Sequence, residues 1–105
     1  MATTAGERQR ALIYLRSLEL MLGDLPEVAA EWPTIPDVER ESWSHDWDNE
    51  MGSLQVLTEY VAHGTLEEPE ARRYQRIVET VRASLPIIAR LNLRRPHFAT
   101  NERAS

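Results

Sequence analysis

The sequence predicts an all-α fold, a small three- to four-helix bundle with a Pro-broken crossover after the first helix and a Pro-kinked last helix. Three observations carry that expectation. Apolar residues recur at three- and four-residue spacing over three long stretches. β-Branched residues are scattered and never alternate over the run that a strand needs. Prolines and glycines cluster around the ends of the periodic stretches, where helices start and stop. With 105 residues, 42% hydrophobic and 28% charged, the chain is one domain's worth and buries about two-thirds of its extended surface on folding. Residues 1–6 are read as a flexible N-terminus, 7–95 as the helical domain and 96–105 as a flexible C-terminal tail.

The first helix is expected over residues 7–23. Glu7 suits the positive end of the helix dipole, and Gly23-Asp24 reads as a stop. Leu12, Leu15, Leu18, Leu22 and Leu25 fall on one face. Ile13, Leu20 and Met21 lie off that face, toward the opposite side at about 100° per residue. A helix that is apolar on two sides needs two covers. Ile13, Leu20 and Met21 are therefore the candidate contacts for a second copy of the chain, as a homodimer, or for another protein.

Asp24-Leu25-Pro26-Glu27 has the form of a helix start, with Asp24 as cap and Pro26 in the first turn. Pro33 and Pro36 interrupt whatever follows. Thr34, three residues before Asp37, offers a restart. Residues 24–44 thus read as a broken crossover containing a helical turn or two. A further main helix is expected over 44–63, with Trp43, Trp47, Met51, Leu54, Leu57 and Val61 at helical spacing. Gly52 within it suggests the close approach of a neighbouring helix. His63-Gly64 forms its end. Thr65-Leu66-Glu67-Glu68 has the pattern of a capping box and Pro69 fits the first turn of the last helix, expected to run to Leu91. Pro86 lies inside that pattern and predicts a kink near Ser84, and Asn92 is the expected C-cap.

Composition excludes several chemistries. There is no cysteine, so disulfides, thiolate metal centres and cysteine nucleophiles are ruled out. A net charge of −5 argues against nucleic acid as a partner, because phosphate binding needs clustered positive charge. No stretch reaches the roughly 20 apolar residues of a membrane span. The first residues lack a basic segment followed by an apolar one, so no leader is expected and a cytoplasmic setting is the natural one. No Gly-rich phosphate loop and no Ser–His–acid arrangement is present, so neither a cofactor nor an enzymatic activity is expected.

Two groups of side chains invite chemistry. Trp43, His45, Trp47 and Asp48 crowd one short stretch, and Glu59 and His63 follow on the same helix. Together they suggest a small-ligand or metal pocket with Trp walls, as an alternative to a protein-interaction role. The plainer reading makes both Trp residues core and the acids first-turn groups favoured by the helix dipole. Arginines 72, 73, 76, 90, 94 and 95 line the last helix, but Glu67, Glu68, Glu70 and Glu79 sit among the first three and can pair with them. The leading expectation is a non-enzymatic regulatory or interaction protein, acting as a homodimer or with a protein partner.

Overall fold

A computed structural model describes residues 4–97. The described residues form four helices and no strand: α1 (Ala5–Glu31), α2 (Asp37–Ala62), α3 (Glu68–Ala83) and α4 (Leu85–Arg90), with a 3₁₀ turn at Trp32–Thr34 between the first two. The all-α bundle predicted by periodicity is thus what forms. Residues 1–3 of the expected flexible N-terminus, and the expected tail from residue 98 onward, lie outside the described residues.

Helix α1 is longer at both ends than its sequence suggests. It begins with a capping box at Thr4, whose hydroxyl accepts from the Glu7 N–H while the Glu7 carboxylate accepts from the Thr4 N–H. It then runs through Gly23, Asp24 and Pro26 to Glu31. Asp24 is therefore not a cap. Proline removes one intrahelical hydrogen bond and crowds the preceding turn. Here Leu25 and Ala29 extend the buried face set up by Ala11, Leu15, Leu18 and Leu22, and that burial holds the helix together across the proline. Pro26 itself faces solvent.

The true break is short. Trp32–Thr34 tighten into the 3₁₀ turn, Ile35 becomes extended and Pro36 caps α2. Thr34 does not restart the helix, because its hydroxyl donates back to the Glu31 carbonyl. Helix α2 starts at Asp37, so the helical turn expected at the end of the crossover and the helix expected over 44–63 are one continuous element. Its end matches the sequence. Gly64 has φ +68°, and the Thr65 and Gly64 N–H groups return to the carbonyls of Tyr60 and Val61. These crossed bonds satisfy the last orphan carbonyls of the helix.

Glu67, not Thr65, caps α3, and Pro69 lies in the first turn. The Pro86 kink becomes a full division at Ser84, which separates α3 from α4. Asn92 then takes the left-handed conformation at φ 59°. The Leu93 and Asn92 N–H groups reach the carbonyls of Ile88 and Ala89, while Leu93 and Ile88 are both buried. This is the same two-bond ending as at Gly64, with its usual apolar clasp.

α1 packs against α2 on one side and α3 on the other, and α2 and α3 meet each other far less. Leu15, Leu18 and Leu25 of α1, Trp47, Leu54 and Leu57 of α2, Val81 of α3 and Ile88 of α4 are fully buried between them. Polar bonds stitch the same seams. Arg73 of α3 makes a two-pronged pair with Glu19 of α1, at 2.9 and 2.7 Å. Arg8 reaches both Glu67 and Glu70 at the start of α3. On the α2 side, Arg10 donates to the Tyr60 hydroxyl and Ser17 donates to Glu50. Thr58 and Tyr74 hydroxyls, 2.8 Å apart, link α2 to α3.

Gly52 is not a point of close approach. A Cβ at Gly52 or at Gly23 meets nothing within 4 Å, and both residues lie inside helices. Gly23→Ala and Gly52→Ala are each expected to stabilise the fold by about 0.5–1 kcal/mol through reduced freedom of the unfolded chain. In thermal melts this corresponds to roughly 4–8 °C per kcal/mol. A lowered melting point would mean that α1 or α2 needs glycine there.

Candidate functional site

Each surface residue singled out by sequence has a definite place. Trp47 is fully buried, and its indole N–H donates 2.7 Å to the Arg94 carbonyl. Arg94 returns the contact through its guanidinium, 3.1 Å from the Asp48 carbonyl. Trp43 is half-buried and stacks on Trp47 with ring centres 5.8 Å apart and an interplanar angle of 18°. The edge of Trp32 meets Trp43 at 6.4 Å, and the Arg40 guanidinium lies 5.6 Å above Trp32 while donating to the Trp32 and Pro33 carbonyls. The three rings seal the end of the α1–α2 hairpin, where the chain has just turned back. Their role is packing and cation–π stabilisation of the turn.

The polar members of the expected pocket do not join them. His45, Asp48, Glu59 and His63 are all exposed. Because α2 is continuous, His45 and His63 stand about 27 Å apart along it at 1.5 Å per residue. The His63 ring bonds the Glu59 backbone carbonyl at 2.9 Å, not its side chain. Among the described residues no three His, Cys, Asp or Glu side chains converge in a way that could hold a metal ion. Asp46 and Asp48 are mid-helix groups, since α2 begins earlier than expected.

Three arginines of the last stretch, Arg72, Arg73 and Arg94, are drawn into local and interhelical bonds. Arg72 pairs with Glu68 at 2.7 Å one turn earlier, as the spacing allows. Arg73 crosses to Glu19 on α1, a partner 54 residues away that no local pattern announces. No described helix is long and apolar enough to cross a membrane.

The remaining surface is the outer side of α1. Ile13 and Leu20 are 57% and 61% exposed, while Met21 is half-buried against the core. Seven residues separate Ile13 from Leu20, so they share one line on the helix, about 10 Å apart. That line lies directly opposite the Leu15–Leu18–Leu22 face. Neither α2 nor α3 reaches it, because each occupies a flank. Beside Leu20 the α1–α2 seam opens into a cleft of about 300 Å³ lined by Ser17, Met21, Asp24, Asp46, Asn49 and Glu50. One oxygen of Glu50 accepts from Ser17, while the other is buried with no hydrogen-bond partner among the described residues. Two flanks of α1 are thus structural, and the third side joins exposed apolar residues to an acidic cleft.

Glu70 is the one buried charged side chain among the described residues. Arg8 serves one of its oxygens at 3.3 Å, and the first turn of α3 places it at the positive end of a helix. It holds the start of α3 to the start of α1.

Comparison with known proteins finds no matching family model, no matching curated protein and no matching solved structure.

The seams are testable. The Arg73 hydrogen bonds hold the Glu19 carboxyl below its ordinary value of 4.5, against a smaller opposing effect of burial. A depressed carboxyl contributes stability above the unfolded value and loses it as pH falls through the folded one. Wild-type protein should therefore lose more stability than Glu19→Gln as pH falls from roughly 5 to 3, and identical acid limbs in urea titrations would remove this coupling. Trp47→Phe should cost about 1–3 kcal/mol, since it leaves the Arg94 carbonyl without its donor and opens space in the core. Chemical denaturation reads this directly, and an unchanged midpoint would mean that the carbonyl is served elsewhere.

Proposed function

We propose that this chain works by binding protein, as a non-enzymatic interaction or regulatory module, and that the outer face of α1 is its contact surface. The observation that supports this is the exposure of Ile13 and Leu20 on the side of α1 that neither neighbour covers. Scattered exposed apolar residues are ordinary, and Val38, 72% exposed, is one. Ile13 and Leu20 differ because they are aligned on a rigid helix held on both flanks. Covering the two contributes roughly 2–3 kcal/mol, a useful core for a weak or regulated contact. The acidic cleft beside Leu20 adds the polar rim that such surfaces carry. The absence of cysteine suits a reducing, cytoplasmic setting. The partner under this reading is a protein, either the chain itself or another.

The experiment is capture from host extract with four baits: wild type, Ile13→Asp, Leu20→Asp and Val38→Asp. A discrete co-purifying protein should be retained by wild type and Val38→Asp and lost with the two α1 variants, all four being equally helical by circular dichroism. Identical capture by all four would overturn the assignment of this face.

A further inference from the structure

Resting on the interaction reading above, we infer that the outer face of α1 pairs with the same face of a second copy of this chain, the two helices running antiparallel. The face is self-complementary in its exposed apolar pair and in the charges at its two ends. Ile13 and Leu20 are the exposed apolar pair, and the midpoint between them lies between residues 16 and 17. A twofold axis through that midpoint sets Ile13 on Leu20 of the second copy, and Leu20 on its Ile13. Such reciprocity is what an isologous contact requires.

Charge along the face divides about the same midpoint. Arg10 lies on the first half, at the flank toward α2, where it touches Tyr60 and remains exposed. Asp24 lies on the second half, at the same flank, where it lines the cleft with Asp46 and Glu50. The axis preserves that flank while it reverses the helix direction. Arg10 of one copy therefore arrives within about one residue's rise of Asp24 of the other, and does so twice. A cation then stands at an acidic cleft whose Asp24, Asp46 and Glu50 are in no ion pair among the described residues. A parallel twofold carries the second copy's α2 flank to the opposite side of the contact, where its Asp24 cannot meet Arg10, so charge selects the antiparallel arrangement. Arg16 lies nearest the axis, on the side of Glu19, and the two copies' Arg16 side chains approach one another there. That like-charge approach, with an apolar centre of only two residues per copy, makes the association weak and dependent on concentration and salt.

The test is sedimentation velocity of the purified full chain over a wide concentration range, at low and high salt. Wild type should shift toward twice its 12.1 kDa mass as concentration rises, and less so in high salt. Arg10→Asp and Asp24→Arg should each weaken self-association tenfold or more. Mixing the two single variants should restore it, because each hybrid pair then carries opposite charges at both contacts, and the doubly exchanged Arg10→Asp/Asp24→Arg chain should also recover. Circular dichroism of each variant confirms that it folds. A wild type that stays monomeric into the millimolar range overturns the inference, as does dimerisation that ignores both exchanges. In either case a Leu20-dependent partner captured from extract still stands by itself, so loss of self-pairing and loss of the interaction surface are separate outcomes.

Discussion

One helix must be covered along two flanks at once, and the rest of the molecule follows from that requirement. α2 and α3 each complete their burial against α1 more than against each other. The long-range side-chain bonds repeat the pattern: Arg8 and Glu19 tie α1 to α3, while Arg10 and Ser17 tie it to α2. Removing apolar bulk from α1, at Leu15 or Leu18, thus damages two interfaces, whereas the same change at Leu57 or Val81 acts first on one. The continuity of α1 across Pro26 has the same origin. A proline that breaks an isolated helix is tolerated where the residues beyond it, Leu25 and Ala29 among them, have a core to enter.

How much of this was legible in the sequence depends on the range over which each signal acts. Helical periodicity is repeated over many residues, so the number and kind of elements could be read. Signals made of one or two residues were less faithful. The stop at Gly23-Asp24 and the cap at Asp24 were overruled by tertiary burial. The Thr4-x-x-Glu7 box is a short local pattern that sets the helix start at Thr4, ahead of the acidic Glu7. The Thr65 box predicts an earlier start than forms, because the chain needs two more residues to turn before α3 begins at Glu68. Gly64 and Asn92 were readable because positive φ restricts residue choice sharply.

For the candidate surface the division is similar. Angular position around α1 placed Ile13 and Leu20 away from the core, and both are exposed; Met21, nearer the α2 flank, is half-covered. The Trp/His/acid cluster looked dense only in one dimension. Folded onto a single long α2, its aromatic members turn inward and its polar members spread along the outside. Arg73 and Glu19 could not be matched from sequence, because their meeting depends on how α3 crosses α1 and not on any local spacing.

The central position of α1 also bears on the order in which the structure can assemble. The bonds from α1 to α2 span 33 residues at Ser17–Glu50 and 50 at Arg10–Tyr60, while those from α1 to α3 span 54 at Glu19–Arg73 and 62 at Arg8–Glu70. Closing the longer loop costs more entropy and must wait for more chain to be made. On a ribosome, α1 therefore emerges first, acquires its α2 flank next, and keeps its α3 flank bare until the second half of the chain has cleared the exit. During that interval the leucine face that later becomes the core lacks its α3 cover, so the exposed apolar surface of the growing chain is concentrated along α1.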